Sequence, residues 1–343
     1  MRFPFESHFV QAGDLKIHFM KEGAGEPLIL LHGWPQTSYE WRHQISFLSK
    51  HFTVYAPDNR GFGATEKPRI RITRDMLARD VLKFMDALGL EDAHLAGHDW
   101  GGIIAFKVAV DAPRRIRRLC LIDTTTTVWP TSVTHAFWAN LHPEPLEFLA
   151  KYSEEMIAWC MTGRRPDYRD VVPPFPPDPL PGSESGWCDD AALRHYSEAM
   201  ADPGSHFATV EFYGSAMPMH RMRSGENGRI EFEYIGVHGA RDIWNHPGGA
   251  LNHPDLAQPL CYAPEDWNKK YENPALFVYS PLLVPEAFSA EGWNPSFELA
   301  ADLSQQSITR PFSQLETIGI DCGHFIPEEA PETLNPILLR FFS

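Results

Sequence analysis

Residues 93–106, Ala-His-Leu-Ala-Gly-His-Asp-Trp-Gly-Gly-Ile-Ile-Ala-Phe, constrain this chain more than any other stretch, because an apolar strand ends on a glycine-flanked residue and a helix begins at once. The spacing Gly97-x-Asp99-x-Gly101 is that of the G-x-S-x-G nucleophile elbow with aspartate in the place of serine. A turn this sharp leaves no room for side chains beside its raised central residue, so small flanking residues are required. Asp99 is thereby predicted to stand where such a turn presents its nucleophile. Taken alone, Gly-x-Asp-x-Gly reads equally well as a strand followed by an N-cap aspartate. The rest of the chain decides between the two.

On either side of this turn the periodicity alternates between strand and helix. Residues 5–22 predict an edge hairpin around Gly13, with Leu15, Ile17 and Phe19 alternating against polar neighbours. Buried strands follow at 27–31 and 52–56, and helices at 37–50 and at 73–88, the latter with Thr73 as its N-cap and Gly89 as its stop. Residues 118–123 form a further strand. Strands alternating with helices of this length predict a doubly wound, mostly parallel α/β sheet. The alternation lapses from 124 to 273, where 16 of the 30 prolines up to residue 272 break any regular sheet pattern. This segment is predicted as an inserted, mainly helical domain, with helices near 144–162 and 189–216 and loops elsewhere, including a Pro-rich loop at 171–182 and a Gly/His-rich loop at 236–256. The α/β pattern resumes with strands at 275–279 and 315–318 and helices at 296–304 and 332–342. The predicted division is therefore a core of 1–123 and 274–343 around an insertion of 124–273.

A net charge of −15 argues against nucleic acid and anionic membrane surfaces as partners, since either selects a basic face. Cys120, Cys160, Cys188, Cys261 and Cys322 are odd in number and without C-x-x-C spacing, which predicts neither a disulfide framework nor a zinc site. No signal-peptide-like or membrane-spanning apolar run is present, so a cytoplasmic protein is expected. His238, His246 and His253 cluster in the Gly/His-rich loop without metal-ligand spacing, and no metal or cofactor is expected.

Four motifs in order, His32-Gly33-Trp34-Pro35, Asp58-Asn59-Arg60-Gly61-Phe62-Gly63, Gly97-His98-Asp99-Trp100-Gly101-Gly102 and Cys322-Gly323-His324-Phe325, give the chain its resemblance to the epoxide hydrolase and dehalogenase branch of the α/β-hydrolase fold. The resemblance covers roughly 5–123 and 274–343, and the insertion occupies the place of that family's cap. Chemistry supports it independently. A carboxylate attacking an ester carbonyl gives a labile anhydride, whereas attack on a saturated carbon bearing a leaving oxygen or halide gives an ordinary ester that water can hydrolyse.

The resemblance implies further roles. The fold's chain order of nucleophile, acid, histidine makes His324 the general base. An acid must orient its ring. The loop after strand 275–279 offers no acidic residue before Glu286 and Glu291, whereas Asp123 follows the nucleophile by the 24 residues found where the family's acid is relocated. Asp123 is favoured, with the two glutamates as alternatives. The backbone N–H groups of Trp34 and Trp100 are expected to form the oxyanion hole, with both indoles lining the cavity. For the leaving group, one branch of the family uses a cap histidine and tyrosine, matched here by His135 and Tyr213. Tyr152, Tyr196, Tyr234 and Tyr262 are alternatives.

The implied activity is hydrolysis of an epoxide to a vicinal diol through an ester on Asp99. The alternatives are a hydrolytic dehalogenase using the same ester and a non-catalytic hydrolase-fold binding protein. The substrate is expected to be small, apolar and organic, and a homo-oligomer is possible. Haloacetate dehalogenases carry arginines where Trp100 and Ile103 stand here, so a substrate carboxylate has no evident clamp.

Overall fold

The computed structural model describes residues 5–129, 145–163, 183–225, 229–235, 260–282 and 306–343. Its strands are β1 (Glu6–Ala12), β2 (Leu15–Glu22), β3 (Glu26–Leu31), β4 (Phe52–Pro57), β5 (Ala93–His98), β6 (Ile116–Ile122), β7 (Val128–Trp129), β8 (His220–Ser224), β9 (Ile230–Tyr234), β10 (Leu260–Cys261), β11 (Ala275–Tyr279) and β12 (Leu315–Gly319). Eight of them form one sheet in the order β1-β2-β4-β3-β5-β6-β11-β12, antiparallel at the β1 edge and parallel from β4 onward. The doubly wound α/β fold read from the sequence is the one observed.

Burial explains why the central strands are continuously apolar. Ile29 and Leu31 of β3 pack into one core, whereas Leu28 and Leu30 pack into the other. This is the period-two alternation of a strand covered on both faces. Helices α2 (Arg74–Ala87) and α3 (Trp100–Asp111) contribute to the first core through Leu77, Phe84, Ile104 and Val108. Helix α1 (Arg42–Leu48) and the terminal helix Pro331–Phe342 contribute to the second through Ile45, Leu334 and Leu338. Thr73 caps α2 by accepting the Met76 N–H, and Gly89 beyond its end has φ of 68°, a conformation that glycine adopts freely.

The chain leaves the sheet after β6 and returns at β11. Between them lie α4 (Pro145–Thr162), α5 (Asp190–Met200) and α6 (Pro203–Gly214). The single helix expected at 189–216 is two, because Pro203 lacks an N–H and cannot continue a helix. It serves instead at the first turn of α6, where Asp202 caps by accepting the Gly204 N–H. The stretch after 216, expected to be loop-rich, holds β8, β9 and β10, which pair with β7 into a four-stranded antiparallel sheet of order β7-β10-β8-β9. Met222, Val128, Cys261 and Trp267 form its buried cluster. Its strands were hidden by their charge: Arg221, Arg223, Glu231 and Glu233 alternate with the few apolar residues that face inward.

Among the described residues no helix is long and apolar enough to cross a membrane. His135, Glu286, Glu291, the histidines 238, 246 and 253, the loops at 171–182 and 236–256, and the helix expected at 296–304 lie outside the described residues.

Candidate active site

The strand order turns back on itself around β3, whose neighbours β4 and β5 lie on opposite sides. In open parallel sheets, ligands bind beyond the carboxyl ends of the strands at such a point. The chain places Trp34 after β3, Asp99 after β5, Asp123 after β6 and His324 after β12. Four segments far apart in sequence thus meet at one end of the sheet.

Asp99 has φ 48° and ψ −119°, a conformation that few non-glycine residues adopt. Its neighbours explain how it is held there. A Cβ on Gly97 would lie 2.2 Å from the Gly101 carbonyl oxygen, and one on Gly101 would lie 2.0 Å from that of Leu31. The helix start therefore packs directly onto strand backbone, and both positions exclude any larger residue. A Cβ on Gly33 would come within 2.7 Å of the Asp99 Cβ, so the turn after β3 closes against the carboxylate itself. The Asp99 N–H donates to the Ile122 carbonyl at 3.1 Å, and the Thr124 hydroxyl donates to the Asp99 carbonyl at 2.6 Å.

The Trp34 N–H donates to Asp99 Oδ1 at 2.7 Å, while Asp99 Oδ2 lies 3.8 Å from His324 Nε2. On its other side, His324 Nδ1 is 2.6 Å from Asp123 Oδ2. Asp123 also has a positive φ, 41°, and its second oxygen accepts the Ser280 N–H at 3.0 Å. The three side chains differ in access: Asp99 and His324 retain 23% and 12% of their side-chain exposure, and Asp123 only 3%. Asp123 is enclosed, while Asp99 and His324 are open to solvent. The chain has brought together Asp99, His324 and Asp123 in the linear order carboxylate, imidazole, carboxylate.

Tyr213 of α6 roofs this arrangement. Its ring meets those of Trp34 and Trp100 edge to face, each at 5.4 Å between centroids, contacts worth about 0.5–1.5 kcal/mol apiece beyond burial. Burial raises the Tyr213 pKa well above the ordinary phenol value, and the Asp99 carboxylate raises it further while Trp100 opposes the shift. The hydroxyl therefore remains protonated and close enough to Asp99 to respond to its charge. The two indoles differ. Trp34 Nε1 donates to the Thr209 hydroxyl at 3.0 Å, whereas the buried Trp100 Nε1 faces the Tyr213 hydroxyl.

The other tyrosines are engaged elsewhere. The Tyr262 hydroxyl lies 2.9 Å from Thr125 Oγ1, and Tyr234 is 67% exposed. Tyr152 sits at a kink in α4 with its ring against Phe148. The Tyr196 hydroxyl donates to the buried Glu328, which also receives Arg42 and whose pKa burial pushes up to about 7. That contact fastens α5 to the segment following His324.

Sequence reasoning missed one pair. His98, beside Asp99, is fully buried with Nε2 at 2.9 Å from the His324 carbonyl oxygen and Nδ1 at 3.0 Å from Glu40 Oε1. Burial alone would lower the His98 pKa, but the Glu40 charge, with Asp99 and Asp123 behind it, raises it to about 9. Glu40 in turn accepts the Gly33 N–H at 2.8 Å. One buried ion pair thus ties the turn carrying the Trp34 amide to the loop carrying His324. The signal available was a histidine inside the elbow motif; nothing near Glu40 in sequence indicated its partner.

Residues 26–162 match the model of the α/β-hydrolase fold. A stretch of 116 residues is 42% identical to the soluble epoxide hydrolase of Corynebacterium sp. (strain C12), covering 34% of this chain and 41% of that protein. Over 149 residues the chain is 36% identical to haloalkane dehalogenase 2 of Mycobacterium bovis (strain ATCC BAA-935 / AF2122/97), covering 43% and 51% of the two. The chain spans about half the length of the curated relatives it matches. The solved structure of epoxide hydrolase CorEH is similar over 98% of both chains, with a TM-score of 0.68 at 22% identity.

Proposed function

We propose, from the premise that this chain is an α/β hydrolase by fold and resembles the epoxide hydrolase and dehalogenase branch, that it opens epoxides to vicinal diols through a covalent ester on Asp99. The observation that carries the reading is a carboxylate at the raised turn with a histidine held between it and a second, enclosed carboxylate. In this reading Asp99 Oδ2, free of the Trp34 amide, attacks the less hindered epoxide carbon and the C–O bond breaks. Tyr213, which holds its proton in the resting state and lies beside Asp99, donates that proton to the departing alkoxide. His135 of the same cap is the second candidate donor. Water deprotonated by His324 then attacks the ester carbonyl, Asp123 stabilises the imidazolium, and the N–H groups of Trp34 and Trp100 receive the oxyanion; the acyl–oxygen bond then breaks to release the diol, and the proton held by His324 restores the Tyr213 phenol. The substrate is a small apolar organic molecule, the insertion 124–273 has the role of a cap, and the protein works in the cytoplasm.

One observation favours the dehalogenase as a second reading: the Trp100 indole N–H is a buried donor beside Tyr213, directly after Asp99 in the chain, and a halide leaving group needs such a donor and no proton. A mixed panel of epoxides and haloalkanes, assayed in parallel for diol and for halide, separates the two. Diol formation from epoxides is the expected result. Halide release with no diol would replace the leading reading with the second, and neither product would favour a non-catalytic binding protein.

A further inference from the structure

Outside this site, the hairpin edge carries another chain of groups that the proposed reaction does not use. On exposed β1, Ser7 Oγ lies 2.7 Å from His18 Nε2, and His18 Nδ1 lies 2.7 Å from Asp58 Oδ2. Serine, histidine and aspartate stand in the order and at the spacing of a charge-stabilised nucleophile. The arrangement is held from several sides. Asp58 Oδ1 accepts the Ser38 N–H at 2.7 Å, and Oδ2 accepts the Ala64 N–H at 2.8 Å. The His18 N–H donates to the Thr65 hydroxyl, which itself donates to the Asp58 carbonyl. Phe9 lies against the imidazole at 5.1 Å between centroids. Beside these residues opens a cavity of about 950 Å³, walled by Phe5, Met20, Ala64 and Ala199 and rimmed by Glu22 and Glu198. Such a volume admits a small organic molecule. Asp58 is fully buried, yet hydrogen bonding and charge from His18 outweigh desolvation and keep it ionised.

We propose that Ser7, His18 and Asp58 form a second nucleophilic site, which takes neutral activated esters. Ser7 Oγ bonds to the ester carbonyl carbon as its proton passes to His18 Nε2. The carbon–oxygen bond to the leaving phenol then breaks, and the phenolate oxygen takes that proton from His18. Water, deprotonated by the same nitrogen, releases the carboxylic acid and restores the serine. The acidic rim disfavours anionic acyl groups, and the apolar wall suits short acyl chains.

The test uses the full chain, a fluorophosphonate probe and 4-nitrophenyl acetate. The probe should attach to the peptide containing Ser7, with fluoride leaving as the phosphorus–oxygen bond forms. Ser7→Ala should remove that label while epoxide turnover is unchanged. His18→Gln should slow labelling by about 10² or more, the usual contribution of a positioned base. Asp99→Ala should leave labelling intact, so failure here and failure of the epoxide reading are distinguishable. Because His18→Gln could disturb the hairpin, Ser7→Cys provides a second measurement: the introduced thiol should react with iodoacetamide at least about tenfold faster than that of Phe9→Cys, on the same strand. The proposal is overturned if Ser7 is not labelled, if His18→Gln labels at the parent rate, or if the two thiols react alike.

Discussion

On the floor of the candidate active site, Asp99 is held by its own backbone bonds to Ile122 and Thr124, by three glycines through which neighbouring backbone closes in, and by the Trp34 amide on its carboxylate. On the roof, Tyr213 is held by ring contacts with two tryptophans and by the packing of α6. Backbone geometry admits few alternatives, whereas side-chain packing can re-form around a substitution at modest cost. On the proposed reading, the floor would fix which bond is made, and the roof would adjust which molecule is accepted.

Breaking the floor should have the larger effects. Asp99→Ala is expected to abolish turnover with the fold retained, measured by product assay beside an unchanged circular dichroism spectrum; turnover at the parent rate would end the ester mechanism. His324→Gln should stop the reaction midway, so that mass spectrometry finds substrate attached to the peptide containing Asp99. Rapid product release with no adduct would remove His324 from its role. Asp123→Asn should reduce turnover by about 10⁴, as when the acid of a triad is neutralised. A mild effect would move the orienting acid to Glu286 or Glu291.

Breaking the roof should be milder and selective. Tyr213→Phe is expected to slow ester formation from an epoxide by about 10², seen in pre-steady-state kinetics, while hydrolysis of an ester already formed is little changed. Equal slowing of both steps would show that the roof positions the floor and that the two do not act independently. The smallest effect expected is on stability. With the His98 pKa raised from 6.5 to about 9 in the folded protein, its stabilising contribution is complete below pH 6.5 and lost as pH rises through about 9. Across that interval the melting temperature should fall by a few degrees more in the parent than in His98→Gln. Parallel curves would mean that the Glu40 pair does not steady the floor.

The same contrast separates what the sequence made legible from what it did not. Gly97, Asp99 and Gly101 are adjacent, and their residue types are dictated by local sterics, so the elbow and its strand and helix could be read directly. Asp123 could be reached by counting along a resembling pattern, because a strand end has a fixed position in a parallel sheet. Glu40 could not be connected to His98, since the contact depends on how a helical turn packs 58 positions away in the chain. The cap sheet was obscured for a related reason: strands with one small buried cluster and charged outer faces lack the apolar runs that mark buried strands. The break at Pro203 is present in the sequence, but helix-forming residues continue on either side of it and conceal the boundary.

The hydrogen bond from the Trp34 amide to Asp99 Oδ1 has an isotopic consequence. If the amide keeps its hold through the cycle, the two carboxylate oxygens cannot exchange places. Oδ2 would leave inside the diol at each turnover and be replaced by an oxygen from water, while Oδ1 would stay. After many turnovers in ¹⁸O-labelled water, Asp99 would carry one heavy oxygen and one original, and the unlabelled diol formed in the first cycle would be followed by fully singly labelled product. The enzyme would keep a record of which oxygen faces the amide.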